Sequence, residues 1–514
     1  MMKKIIFVFC ACVFAANVSA SGIFDVFRAN NNGSGVTEAY ASDNKKNAIA
    51  SSDEMNERAD ENVEKFESVY KELLENYVDV LDPDVLYKGA MEGMFNTLND
   101  PYSEYYEKAS SQGISLQDTL VGSFGGVGVT IQKPAKSTEE KPAYVEVMSA
   151  IDGTPGAKAG LQPGDYITEI EGTPTDEITM EDVLKKLRGQ VGTKVTIKVL
   201  RGKNMTFNLT ITRARIEVPT VKYTMFDNQI GYIKLLEFNP NSTPKIREAY
   251  NALEKQGCKK IIFDLRNNGG GLLDAAVSSA SFFISSGVVV STDGRMKNSV
   301  VTFNVDRFAY HLPSSVPVVT LINSGSASAS EILAGALKDN KRSILVGTTS
   351  YGKGVVQMVW DLNEKEAFKF TTARYYTPSG ANIHKRGIPA DYEVAFPEPI
   401  ESEVEEFARL YDKGQTVLDN FARSKENIST AEIKAFAKKL QAEYKIRLEL
   451  LELAVNNRVN NYQSGLHLNT EFDPQLKKAV ELLRTTDVNA LAAKAKTVAE
   501  LQEIQEAKKD KAGK

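Results

Sequence analysis

The sequence predicts a mixed α/β protein with helical regions at both ends. Three observations carry this. Residues 118–213 alternate short β-rich runs with glycine turns. Residues 230–394 alternate apolar strands with helical patterns. Residues 54–98 and 400–484 read as mostly helical, with apolar residues recurring near a period of 3.6.

A chain of 514 residues fits two to four domains. We divide it into a signal peptide (1–20), a flexible linker (21–53), an N-terminal helical region (54–117), a β-rich domain (118–213), an α/β core (214–396) and a C-terminal helical region with a disordered end (397–514). At 42% hydrophobic and 25% charged, the chain holds enough apolar material for a real core. A net charge of -5 argues against nucleic acid as a partner. Cys10 and Cys12 lie in the N-terminal apolar run and Cys258 stands alone, so neither a disulfide framework nor a cysteine metal site is expected. His311, His384 and His467 are scattered without an HExxH pattern. Zinc catalysis and a serine–histidine triad are therefore disfavoured, and no metal or cofactor is expected.

Residues 1–20 begin with Lys3 and Lys4, continue with an apolar run, and end in Val18-Ser19-Ala20. This is the pattern of a cleaved secretory signal. The run is short for a membrane span of about 20 residues. An extracytoplasmic location, in a periplasm for instance, follows as an expectation. The linker carries Asn30-Asn31-Asn32-Gly33-Ser34-Gly35 and reads as flexible. Next, Val63, Phe66, Tyr70, Leu73, Leu74 and Tyr77 share one face of a helix over 54–78, and a second helix is expected over 83–98. Such faces serve a core or an oligomer contact. Helical regions at both ends point to a homo-oligomer.

In the β-rich domain, Gly125-Gly126-Val127-Gly128-Val129 precedes an alternating strand, and Thr179-x-x-Asp182 caps a helix ending at Arg188. Taken alone, the glycine run is equally a hairpin turn. The added block Ala159-Gly160-Leu161-x-x-Gly164-Asp165 makes residues 118–213 resemble a PDZ domain. That resemblance implies capture of a peptide C-terminus. The amides at Gly126, Val127, Gly128 and Val129 would form an anion nest, and the peptide would pair as an added strand.

In the α/β core, a continuous apolar strand over 261–265 runs into Arg266-Asn267-Asn268-Gly269-Gly270-Gly271, and then a helix over 273–284. The turn offers free amides to an anion. It lacks the GxGxxG and GK[ST] patterns of nucleotide sites. A serine-rich turn, Ser326-Ala327-Ser328-Ala329-Ser330-Glu331, then opens a short helix, and Gly352-Lys353-Gly354 follows a strand at 344–346. Ser328-x-x-Glu331 is itself a capping box, so Ser328 read locally serves as well as a helix cap. Beyond the core, Ser429-x-x-Glu432 caps an expected long helix through residue 453. Leu476, Val480 and Leu483 suggest another helix, and 508–514 reads as a charged, disordered end.

Together, Asp264-Leu265-Arg266-Asn267-Asn268, the Ser326–Ile332 run and Gly352-Lys353-Gly354-x-x-Gln357 resemble the carboxyl-terminal processing, or tail-specific, proteases. Tyr376-Thr377-Pro378-Ser379-Gly380 and Gly387-Ile388-Pro389-Ala390-Asp391 are similar to that family's closing block, and Asn99-Asp100-Pro101-Tyr102-Ser103 and Asp473-Pro474-Gln475-Leu476 to its flanking marks. The resemblance implies a crotonase/ClpP-like α/β protease core with an inserted PDZ domain. It implies Ser328 as nucleophile, Lys353 as base and Gln357 as the residue that orients the base. The oxyanion hole would take the amides of Ala329 and Gly270. Arg188 would couple peptide binding to the core. Substrates would be proteins or peptides with a free C-terminus, with an adaptor or activator protein in some members. A non-catalytic PDZ scaffold on the same fold is the alternative reading, and a coenzyme-binding acyltransferase a weaker third.

The chemistry is consistent with these residue types. A serine hydroxyl needs a base to become a nucleophile. A lysine base must be biased from a pKa of about 10.4 to roughly 7–8, about 3–5 kcal/mol against its cation. Apolar walls such as Val355, Val356 and Val359 are candidates for that burial. In an ideal strand, residues four apart lie ~13 Å apart, so Gly352 and Gly354 must bend the chain if Lys353 and Gln357 are to meet.

Overall fold

The computed structural model describes three two-residue strand fragments within the first 13 residues, and residues 52–107, 123–133, 143–150, 154–161, 164–201, 205–217, 220–295, 299–412, 415–462 and 466–512. Apart from those fragments, the expected signal peptide and the linker to residue 51 lie outside the described residues. Packing divides the chain into two units. One comprises 1–108, 292–301 and 355–374, and the other 109–291, 302–354 and 375–514.

In the first unit, α1 (Ser52–Asn76) and α2 (Pro83–Asn96) form where periodicity placed them. Asp82 caps α2 by accepting from Asp84 N–H (2.9 Å), with Pro83 at the first helical position. The apolar face of α1 is not a core. Val63, Phe66 and Val69 are all more than half exposed. Strand β1 (Glu104–Glu107) pairs antiparallel with residues 366–369. The Asn99–Ser103 motif explains how. Asp100 accepts from the hydroxyls of Ser103 and Thr371 (both 2.6 Å), and Ser103 Oγ accepts from Thr371 N–H (3.0 Å).

The β-rich domain of the second unit contains β2 (Ser123–Gly126), β3 (Val129–Gln132), β4 (Val145–Ala150), β5 (Tyr166–Ile170), α3 (Met180–Leu187), β6 (Lys194–Arg201), β7 (Met205–Thr212) and β8 (Ala214–Glu217). Its main sheet runs β7-β6-β5-β4-β3, which leaves β3 at an edge. The Thr179–Asp182 capping box forms and starts α3. Val183 and Leu187 of that helix are buried with Val127, Val145 and Ile167.

The α/β core follows: β9 (Val221–Met225), β10 (Ile230–Leu235), α4 (Ser242–Lys255), β11 (Lys260–Asp264), α5 (Leu273–Phe283), β12 (Val318–Ile322), α6 (Ala329–Asp339), β13 (Ile344–Gly347) and β14 (Tyr392–Glu393). They form one sheet in the order β9-β10-β11-β12-β13-β14, and every pair but β9/β10 is parallel. The central strands are apolar throughout because both faces are covered. On one face, Phe263 meets Phe283 of α5, with ring centroids 4.8 Å apart. On the other, Tyr232, Ile262, Leu321 and Val346 pack with Leu476, Val480 and Leu483. At roughly 1.5–3 kcal/mol for each fully buried side chain of this size, that second face needs its cover.

The cover comes from the C-terminal region: α7 (Glu401–Asp412), α8 (Gln415–Ala422), α9 (Thr430–Gln441), α10 (Leu448–Tyr462), α11 (Pro474–Thr485), α12 (Val488–Lys494) and α13 (Val498–Ala512). Two expectations fail here. The long helix from the Ser429 cap stops at Gln441 and restarts at Leu448. Acceptors from α7 capture the intervening amides: Lys445 N–H donates to Glu406 (3.0 Å) and Arg447 N–H to Glu403 (2.8 Å). The charged end also continues as helix to Ala512, because Thr497 and Glu500 cap α13 and Val498 is buried. Arg423, just after α8, pairs with Glu146 of β4 (2.9 Å) and ties this region to the β-rich domain.

Candidate active site

Three neighbouring parallel strands, β11, β12 and β13, deliver their following loops to the same end of the sheet. In open α/β sheets that is where ligands bind. The loops are 265–271, 323–328 and 348–354.

The first two interlock. Asn267 N–H donates to Asn323 Oδ1 and Asn323 Nδ2 donates back to Asn267 Oδ1 (both 2.9 Å). Ser326 Oγ donates to Leu265 O (2.9 Å). Asn268 O accepts from Ala327 N–H (3.0 Å) and Ser330 Oγ (2.8 Å). The chain enters α6 through Ser328, which is 2% exposed with φ 55° and ψ -114°. A non-glycine residue in that region costs about 1–3 kcal/mol and persists only where its surroundings enforce it. Ala329 is the first residue of α6, so its N–H has no acceptor within the helix.

Gly270 lies against this turn. A Cβ there would sit 2.8 Å from Ala327 O, 2.9 Å from Ser328 Cβ and 3.0 Å from Ala329 N, at a φ of +108° that favours glycine. The expected neighbourhood of Ser328, Ala329 and Gly270 therefore forms. The Gly270 N–H, however, donates to Asn268 Oδ1 (2.9 Å), so in this structure it serves the turn itself.

The third loop meets the second at Glu331, the acidic member of the Ser328-x-x-Glu331 capping box. Its side chain is fully buried. Oε2 accepts from Ser328 N–H (2.8 Å) and Lys353 N–H (2.9 Å). Oε1 accepts from Ser350 Oγ and Gly352 N–H (both 2.6 Å). Burial pushes this carboxyl above its usual value, and the four donors pull the other way. One oxygen atom thus joins the backbones of Ser328 and Lys353. The sequence signal was present in Ser328-x-x-Glu331, but the 21- and 22-residue reach to the lysine loop was not.

Gln357 belongs to the other unit, on the strand Val355–Asp361. It is 1% exposed. Nε2 donates to Thr371 Oγ1 (3.3 Å), the hydroxyl that Asp100 holds, and Oε1 is buried without a hydrogen-bond partner. Val355, Val356 and Val359 are buried on the same strand.

The remaining motifs are structural. Tyr232, Arg266, Asp473 and Gln475 surround Asp264 or its partner Arg266 at the end of β11. Burial raises the Asp264 carboxyl, but Arg266 and Lys234 outweigh it and hold the carboxyl below its usual range. Asp473 also caps α11 by accepting from Leu476 N–H (2.9 Å), so the Asp473–Leu476 motif anchors the helix that covers the sheet. Asp391 pairs with Lys338 and accepts from Leu345 N–H (2.9 Å).

In the β-rich domain, Val127 is buried, its carbonyl accepts from Gly156 N–H (2.6 Å), and the Gly128 carbonyl accepts from Thr154 Oγ1 (3.0 Å). A Cβ on Gly128 would lie 2.3 Å from Thr154 Cβ, so the loop requires glycine there. Gly126 ends β2 and Val129 begins β3, the edge strand, and the Arg188 guanidinium lies 4.1 Å from the centroid of the Phe124 ring.

Comparison with known proteins places these features in context. Residues 229–394 match the model of peptidase family S41, residues 146–201 a PDZ domain, and residues 18–110 the N-terminal domain of the activating protease CtpB. A carboxy-terminal-processing protease of Bartonella bacilliformis is 37% identical over 340 residues, covering 65% of this chain and 75% of the relative. A probable CtpA-like serine protease of Staphylococcus aureus is 35% identical over 345 residues, 67% of each chain. Among solved structures, a photosystem II D1 C-terminal processing protease is 30% identical, with a TM-score of 0.40, covering 67% of this chain and 90% of that one.

Proposed function

Because this chain belongs to the S41 carboxy-terminal-processing proteases, serine-type peptidases with a PDZ domain, we propose that it is an extracytoplasmic endopeptidase working through a Ser328–Lys353 dyad. The observation that carries the reading is the shared Glu331 oxygen, which fixes the backbones of both residues to one point.

In the proposed reaction, Lys353 accepts the Ser328 hydroxyl proton as Oγ attacks the scissile carbonyl. The Ala329 amide, at the positive end of α6, donates to the developing oxyanion. Gly270 keeps that space clear, and a second donor there requires its N–H to leave Asn268. Lys353 then returns the proton to the leaving amine, giving an ester on Ser328. Water, deprotonated by the same lysine, hydrolyses the ester and restores the hydroxyl. The motif Gly352-Lys353-Gly354-x-x-Gln357 assigns Gln357 to orienting the base. No metal or cofactor enters.

The PDZ domain captures the substrate's C-terminus. The free edge of β3 accepts it as an added strand, with the 126–129 loop at its carboxylate and Arg188 beside the loop. The exposed apolar stripe of α1 contacts a second copy of the chain. Light scattering at micromolar concentration then reads a dimer or larger, and a monomeric mass contradicts it.

The experiment is cleavage of an unfolded protein with an apolar C-terminus by wild type, Ser328→Ala and Lys353→Ala, each verified as folded. The dyad predicts cleavage by wild type and by neither variant. Retained cleavage by either folded variant sinks the assignment of that residue.

A further inference from the structure

The lysine loop has a second support that is remote in sequence. Lys385 N–H donates to Gly352 O (2.8 Å), Ile388 N–H to Ser350 Oγ (2.6 Å) and Ser350 N–H to Ile388 O (3.1 Å). The fit is close. A Cβ on Gly352 would lie 3.1 Å from Arg386 N, and one on Gly354 2.4 Å from His384 N. Residues 382–388 therefore cannot shift without moving the backbone on both sides of Lys353.

That segment is held from behind by α13. Gln502, 3% exposed, donates through Nε2 to Gly387 O (2.8 Å) and Asn382 O (3.1 Å), bridging the two ends of the segment. Arg386 pairs with Glu506 (2.7 Å), and Gln505 donates to Thr349 Oγ1 (3.2 Å) at the start of the lysine loop. The first turn of α13 reaches the nucleophile's own helix, where Val498 N–H donates to Asp339 Oδ1 (2.8 Å) at the end of α6. One helix thus braces both the far end of α6 and the support of Lys353.

We propose that α13 is a positioning helix for the base, and that Gln502 is the positioning residue that sets the Lys353 backbone through residues 382–388. This rests on Lys353 being the base. Gln502 touches no reacting atom. Its effect is geometric: a buried amide that donates to two carbonyls fixes a bend whose inner side carries the lysine. The S41 match ends at residue 394, so the reaction's alignment depends on chain more than a hundred residues beyond it.

Gln502→Met tests this, because it keeps side-chain length and apolar bulk while deleting the donor. The expected result is a fall in kcat of about tenfold, with KM unchanged and unchanged affinity of the PDZ domain for a C-terminal peptide. Amide exchange at Lys385 and Ile388 accelerates while that of β11 and β12 does not. A merely stabilising role would instead lower the melting temperature at constant kcat. Wild-type kcat in folded Gln502→Met, or a raised KM at constant kcat, overturns the proposal. Should Gln502→Met not fold, the paired Gln505→Ala and Glu506→Ala substitutions untie the same helix at less buried positions. A kcat lowered about twofold to threefold at constant KM then supports the proposal, and unchanged kcat overturns it. Failure of the underlying dyad is read separately, as cleavage that Ser328→Ala abolishes and Lys353→Ala does not.

Discussion

Ser328 and Lys353 are held by different kinds of support. The serine turn is braced by two loops that follow neighbouring strands, β11 and β12, and by asparagine and serine side chains within them. The lysine loop follows β13 and draws its supports from α6, from one backbone bond to the serine turn (Tyr351 N–H to Ser326 O, 3.0 Å), from residues 382–388 and, through these, from α13. The proposed nucleophile is built into the core, whereas the proposed base is assembled from pieces the chain supplies last. Among the described residues, Glu331 is the side chain that bonds to both. The two halves should therefore respond differently to substitution, except at Glu331.

The largest effect is expected there. Glu331→Ala leaves four donors without their acceptor and releases both backbones. We expect a fall in kcat of about 100-fold or more and a stability loss of about 3–5 kcal/mol, read by peptide hydrolysis and denaturant titration. Near-normal turnover would break the idea of a shared anchor.

Gly270→Ala strikes the serine half alone, by placing a Cβ 2.9 Å from Ser328 Cβ at a positive φ. Turnover should fall about 10- to 100-fold, while exchange of the Lys385 amide stays at the wild-type rate. Loosening of the lysine loop by this substitution would erase the distinction between the halves.

Ser350→Ala strikes chiefly the lysine half. It removes one donor to Glu331 and the acceptor for Ile388 N–H, at a cost of about 1–3 kcal/mol. We expect about a tenfold fall in kcat with unchanged KM and a faster-exchanging Ile388 amide. An effect confined to KM would contradict it.

The smallest effect is a pH dependence of stability. Burial raises the Glu331 carboxyl above its unfolded value of 4.5, so the folded protein holds that proton to higher pH than the unfolded chain does. The linked stability is complete below 4.5 and is lost as pH rises through the raised value. Measured as melting temperature against pH, the difference between wild type and Glu331→Gln should shift against wild type over that window. A shift in favour of wild type as pH rises would show the opposite sign.

The same contrast governs what was legible in the sequence. The strands β11 and β13, the α3 capping box and the turn at Ser328 follow from local pattern, and the structure forms each of them. Ser328-x-x-Glu331 was legible as a cap because capping is local. Its second use was not, because Gly352 and Lys353 reach Glu331 only after the chain has crossed α6 and β13. The break at 442–447 was invisible for the same reason: its cause is Glu403 and Glu406 on another helix. Residues 508–514 read as a charged, disordered tail, yet the capped and buried start of α13 carries the helix to Ala512. The Asp473–Leu476 motif was visible but mute until Arg266 was seen against it. The Gly270 amide was expected to point at substrate, and Asn268 holds it instead.

The central claim is that Ser328 is a nucleophile activated by Lys353. Reaction of the full chain with a serine-directed phosphonate, followed by peptide mapping, tests it most directly. A Ser328–Lys353 dyad gives one adduct, on Ser328, absent from folded Ser328→Ala and formed far more slowly in folded Lys353→Ala. An adduct on Ser326 or Ser330, or equal labelling of wild type and Lys353→Ala, would contradict it.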